Sequence, residues 1–264
     1  MLDYDDHGSG PAVVLLHGFP LNRRMWQPQV EALVTAGYRV VCPDLPGFGG
    51  SPVAPGQASM DAYADALVGL LDRLGIAQAV IGGMSMGGYV LLNLLERYRS
   101  RCAAALFLVT RAAADDAAGR DKRSALAAEV EAGRPLVVAD AFVELLFAPQ
   151  TAKERPELIA EVRNWMAATP AAGLVAGLLA MRARRDYVAR LGEFELPALV
   201  VGAELDRAVP VEHAQRLAER LPHAELQIIP QAGHMANLEQ PAAFNQALLT
   251  FLKRLPISAD NGSV

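Results

Sequence analysis

Cysteine is nearly missing from this 264-residue chain, which holds only Cys42 and Cys102. Two cysteines without a CxxC pair cannot build a disulfide scaffold or a zinc site, so both read as small core residues beside predicted strands. Long apolar runs are also lacking. Ala103–Val109 and Leu174–Met181 are among the longest, far short of the roughly 20 residues a membrane span needs. The opening residues, Met1 to Asp6, are acidic where a secretory leader starts basic and then turns apolar, which favours a cytoplasmic protein. Positive charge is not in excess either: 24 basic and 29 acidic residues are intermixed, with a net charge of −5. That surface gives no footprint for nucleic acid or anionic lipid. Two arginine clusters, Arg97/Arg99/Arg101 and Arg182/Arg184/Arg185, read as solvated helix ends or faces. No GxGxxG is present, and no lysine stands in a glycine-rich turn, so neither dinucleotide nor P-loop binding is supported.

The chain does have an apolar fraction of 52% and a clear rhythm. Ala12–Leu16, Tyr38–Cys42, Ala79–Ile81 and Ala103–Val109 are short, β-rich and nearly continuous in apolar residues. Helical spacing fills the gaps at Trp26–Ala36, Asp61–Leu74 and Val90–Tyr98, with Gly75 as a stop. Strands of that kind separated by helices imply a mostly parallel sheet covered on both faces. From Arg111 to about Arg190 the patterns are helical only, with Pro156 and Pro170 in first turns and Thr169 as an N-cap. The rhythm then resumes at Ala198–Val201, Val211–Leu221, Leu226–Ile229 and Ala242–Leu255. The tail from Pro256 to Val264 is polar and reads as loose. The expected organisation is one α/β core, residues 1–110 and 191–264, interrupted by a helical insertion at 111–190.

The sharpest chemical signal is Gly83-Met84-Ser85-Met86-Gly87, a G-x-S-x-G pattern directly after a predicted strand and before a predicted helix. A hydroxyl held at such a tight turn needs small neighbours, and the helix that follows aims free N–H groups at a developing oxyanion. Serine is a weak nucleophile and requires a base. Of the five histidines, His7, His213 and His223 sit in polar surroundings, and His17 reads as a brace for its own loop. His234 follows the last strand, on the sheet edge where open α/β proteins build their sites. An acid must orient it. Asp206 follows the strand Ala198–Val201, with Glu204, Asp115 and Asp116 as competitors; the chain order serine, acid, histidine favours Asp206. The oxyanion donors expected are the N–H groups of Met86 and Phe19, since Pro20 has none to give.

Taken in order, His17-Gly18-Phe19-Pro20, Asp44-Leu45-Pro46-Gly47-Phe48-Gly49-Gly50-Ser51, Gly83–Gly88, Asp206 and Gly233-His234 resemble the α/β-hydrolase superfamily. The likeness is nearest to its small esterase and 3-oxoadipate enol-lactonase-like members and runs from about Tyr4 to about Leu252. It implies nucleophile Ser85, acid Asp206, base His234 and oxyanion donors Phe19 and Met86. It also makes the insertion a cap whose underside Phe142, Leu146, Phe147, Trp165, Met166 and Met181 would line, although ordinary cap packing explains those residues equally well. Family members usually carry one more strand ahead of Tyr4–Gly10, so about seven strands are expected here.

The expected activity is hydrolysis of small, largely apolar carboxylic esters or lactones through an acyl-enzyme, with no cofactor and no metal. Serine at 85 excludes the dehalogenase and epoxide-hydrolase chemistries, which need a carboxylate there. Perhydrolase and carbon–carbon bond hydrolysis remain compatible, as does a slow-turnover ligand receptor. Oligomeric state is not legible.

Overall fold

The computed structural model describes residues 1–53 and 59–256; the tail expected to be loose lies, beyond Pro256, outside them. Among these described residues seven strands form one sheet: β1 (Tyr4–His7), β2 (Ala12–Leu16), β3 (Arg39–Pro43), β4 (Ala79–Met84), β5 (Cys102–Leu108), β6 (Ala198–Ala203) and β7 (Ala224–Ile229). Their spatial order is β1-β3-β2-β4-β5-β6-β7. Only β1 runs antiparallel, at the edge against β3, and every other pair is parallel. β2 and β4 are wholly buried, which is why they read as unbroken apolar runs rather than alternating ones.

Alternation governs which layer each residue enters. Val14, Leu16, Ile81, Phe107 and Val200 pack into one hydrophobic layer. Val13, Leu15, Val80, Leu106 and Val201 pack into the other. Among the core helices, α1 (Gln27–Thr35), α2 (Met60–Arg73) and α3 (Met86–Arg97) lie between strands, while α9 (Glu212–Arg220), α10 (Ala236–Glu239) and α11 (Pro241–Leu252) come late in the chain. Helix α2 has its N-terminus capped by the Ser59 hydroxyl, which accepts from the Ala62 amide at 3.1 Å. It ends at Gly75, whose φ of 66° suits glycine.

Between β5 and β6 stand five helices: α4 (Ala117–Glu131), α5 (Leu136–Leu146), α6 (Pro149–Glu154), α7 (Pro156–Ala167) and α8 (Ala171–Arg182). This stretch leaves and re-enters the core through a zipped stem. The Tyr187 amide donates to Ala112 O at 3.0 Å, and the Ala114 amide donates to Asp186 Oδ2 at 3.0 Å. Pro156 opens α7 as expected, but Thr169 is not the N-cap of α8; Pro170 occupies that position. The Thr169 hydroxyl instead donates to Pro20 O at 2.9 Å, tying the helix to a distant core loop. Among the described residues no single helix is long and apolar enough to cross a membrane.

Candidate active site

Ser85 sits between β4 and α3 with φ = 52° and ψ = −111°, a left-handed backbone that a β-carbon disfavours. The glycines beside it are dictated by crowding. A β-carbon on Gly83 would lie 2.2 Å from Gly87 O, and one on Gly87 would lie 2.4 Å from Leu16 O. The turn is fixed from below: the Ser85 amide donates to Leu108 O at 3.0 Å, and the Thr110 hydroxyl donates to Ser85 O at 2.7 Å. Thr110 has no motif to announce it. Two further non-glycine residues with positive φ, Val109 and Gln231, also follow strand ends on this rim.

His234 and Asp206 are brought together on the same rim, after β7 and β6. Nδ1 of His234 lies 2.7 Å from Asp206 Oδ2, and the pair is almost completely shielded from solvent. The other oxygen, Oδ1, accepts from the Ala208 and Val209 amides, each at 2.8 Å. With the carboxylate acting only as acceptor, Nδ1 carries a proton, and Nε2 is the ring atom left to accept one. Nε2 meets no protein partner among the described residues, and it makes no hydrogen bond to the Ser85 hydroxyl in this structure. Such contacts commonly tighten only when substrate is bound.

The competing acids are occupied elsewhere. Asp116 caps α4, accepting from the Gly119 amide at 2.7 Å, and Glu204 accepts from the Gln231 amide at 2.8 Å. Asp115 is buried among the guanidinium groups of Arg111, Arg123 and Arg184. Burial alone would raise its carboxyl pKa, but hydrogen bonds from Arg184 and Arg123 hold it well below the usual carboxylate range. Arg184 therefore departs from the expected solvated face. It is buried against Asp115 and over the Tyr89 ring at 4.3 Å. The pairing joins residues 69 apart in the chain, which no local pattern could show.

The Phe19 and Met86 amides donate to no protein acceptor among the described residues. Gly18 brings the first of these loops against the second: a β-carbon there would touch the Ser85 Cβ at 3.4 Å. His17 braces this arrangement. Its Nε2 accepts from the Leu45 amide at 2.9 Å, so Nδ1 holds the proton and donates to Gly18 O, also at 2.9 Å. Burial lowers its pKa and keeps the ring neutral.

The pocket candidates divide by position. Phe142 packs edge-on against Phe19 with ring centroids 5.2 Å apart. Leu146 accepts the Met235 amide through its carbonyl at 3.0 Å, and is thus joined to the residue after His234. Met166 and Met181 are buried in the two hydrophobic layers. Trp165 instead borders a separate cleft of about 570 Å³, with Arg23, Asp44 and Thr169 across from it. Glu239, which no motif singled out, is a buried carboxylate close to the His234 loop. Its signal in the sequence was only a lone acid before Gln240-Pro241.

A family model described as "alpha/beta hydrolase fold" matches residues 11–241. A protein of Variovorax paradoxus strain S110, provisionally named carbamate hydrolase RutD, is 35% identical over 260 residues, covering 96% of this chain and 97% of its own. The 3-oxoadipate enol-lactonase 2 of Acinetobacter baylyi is 29% identical over 255 residues, covering 96% and 93%. Among solved structures, a thermophilic esterase from Thermogutta terrifontis superposes with a TM-score of 0.93 at 37% identity, covering 96% of this chain and 93% of that one.

Proposed function

Because the chain belongs to the α/β-hydrolase fold family, we propose that it is a serine hydrolase of small carboxylic esters or lactones, with Ser85 as nucleophile. The observation that carries this reading is the buried His234–Asp206 pair, with Nε2 unpartnered on the rim that also carries the strained Ser85. Ser85 Oγ attacks the substrate carbonyl carbon while His234 Nε2 takes the hydroxyl proton. The oxyanion settles between the Phe19 and Met86 amides. His234 returns the proton to the leaving alkoxide, which departs as the alcohol (or stays attached, if the substrate is a lactone). Water then gives its proton to Nε2 and attacks the acyl-serine, releasing the acid and restoring the Ser85 hydroxyl. The helices between β5 and β6, with Phe142 against Phe19 and the Leu146 carbonyl bonded to the Met235 amide, form the cap that admits an apolar acyl or alcohol group.

Hydrolysis of a short p-nitrophenyl ester tests the proposal. Wild-type protein should release p-nitrophenol over many turnovers, and Ser85→Ala should lose activity by several orders of magnitude. Turnover by Ser85→Ala at the wild-type rate refutes the assignment. A single acylation followed by a stall in the wild type would point to a ligand receptor instead.

A further inference from the structure

His234 is held by its neighbours on both sides: Met235 is bonded to the helical insertion directly, and Gly233 is linked to it through Glu239. After it, the Met235 amide donates to Leu146 O at the end of α5. Before it, the Gly233 amide donates to Glu239 Oε1 at 2.9 Å. The other oxygen of Glu239, Oε2, accepts from the Ala148 amide at 2.9 Å and from the Thr151 hydroxyl at 2.6 Å, both at the entry to α6. The contact leaves no slack. A β-carbon on Gly233 would lie 2.6 Å from Ala148 N and 2.7 Å from the Phe147 carbonyl carbon. One carboxylate thus accepts from the imidazole loop with one oxygen and from the insertion with the other.

We propose that Glu239 is a positioning residue that couples the placement of the helical insertion to the placement of the His234 imidazole. The proposal rests on the reading of His234 as general base, and it assigns Glu239 no contact with substrate. A buried carboxylate with three donors is specific in a way an amide cannot copy. In Glu239→Gln the carbonyl oxygen can keep the two donors of α6, but the NH₂ group then faces the Gly233 N–H. Donor meets donor, and the imidazole loop is released while the insertion stays seated. A residue that only stabilised the fold would act on melting temperature and leave base placement alone.

The experiment compares wild type and Glu239→Gln by thermal melting, by steady-state hydrolysis of a p-nitrophenyl ester, and by the low-field proton resonance of the His234–Asp206 hydrogen bond. A misplaced base predicts a kcat lower by about tenfold to a hundredfold, with KM within about twofold. The low-field resonance should also shift or broaden by faster exchange. A variant with unaltered kcat and resonance overturns the proposal, and so does one with a lower melting temperature but an unaltered resonance. If Glu239→Gln does not fold, Thr151→Val removes one of the three donors and is read the same way. It should lower kcat by about threefold and perturb the resonance, and no change in either overturns the proposal. The resonance needs no turnover. If Ser85→Ala proves fully active, the serine reading fails while the resonance still decides the role of Glu239.

Discussion

Asp206 uses its two oxygens differently: Oδ1 is tied down by two backbone amides, and Oδ2 is left for the imidazole. The difference decides what a single-atom change should do. In Asp206→Asn the side-chain carbonyl can keep the Ala208 and Val209 amides, so the NH₂ group must face His234 Nδ1. The imidazole then carries its proton on Nε2 and presents a donor where the proposed mechanism needs an acceptor. The expected result is a loss of about 10⁴-fold in kcat with little change in melting temperature, measured by steady-state kinetics and calorimetry. The candidate residues on this rim were legible because the chemistry restricts residue type: a serine between glycines, then an acid and a histidine after later strands. Thr110 and Glu239 were not. Thr110 acts on the Ser85 carbonyl 25 residues away, and Glu239 joins Gly233 to Ala148 and Thr151, 91 and 88 residues from it; neither has a pattern to mark it.

At the scale of elements, the strands β2 to β6 were readable because they are buried on both faces, while the edge strand β7, mostly half-buried or exposed, was marked only by its short run of branched residues. The helix before the nucleophile's strand was announced by its apolar spacing and by Gly75, while its Ser59 cap went unread. Thr169 misled because an N-cap and a long-range donor use the same hydroxyl; its partner, Pro20 O, is 149 residues away. The docking of α8 was likewise hidden. Gly173 meets Gly47 backbone to backbone, and a β-carbon on Gly173 would lie 1.8 Å from Gly47 O. No neighbouring side chain can move aside, because the obstacle is main chain. Gly173→Ala should therefore force α8 off the β3 loop at a cost of about 1–3 kcal/mol, read as a lower midpoint in urea unfolding. On its next turn, Gly177 approaches the Phe19 and Phe48 rings at 2.8 Å by the same measure, so the displaced helix should also disturb the Phe19 loop.

For the whole molecule, Asp115 is the junction that closes the insertion onto the core. It receives Arg111 and Arg123 from the outgoing side and Arg184 from the returning side, and Arg184 lies over Tyr89 on α3. Asp115→Asn leaves Arg184 buried without its counter-charge, and should cost about 3–5 kcal/mol of stability at pH 7. The same pairing sets a pH dependence. Burial would raise this carboxyl's pKa, but the arginines overcome that and lower it in the folded protein. Its contribution is present above the unfolded value of about 3.9 and is lost as pH falls below it toward the folded one. Urea unfolding from pH 7 to pH 3 should show the wild-type and Asp115→Asn stabilities converging at the acid end. None of this junction was legible in the sequence, where Arg182, Arg184 and Arg185 look alike. Only Arg184 faces inward against Asp115, and the tertiary path of the insertion decides that.

The left-handed backbone at Ser85, Val109 and Gln231 has a practical meaning for anyone who engineers this enzyme. Each is a place where the chain is held in a shape costing on the order of 1–3 kcal/mol, and glycine would relax it. A library screened only for survival after heating would thus enrich glycine at position 85, yielding a sturdier protein deprived of its proposed nucleophile. Selection on residual turnover after heating keeps the two properties from being traded against each other unnoticed.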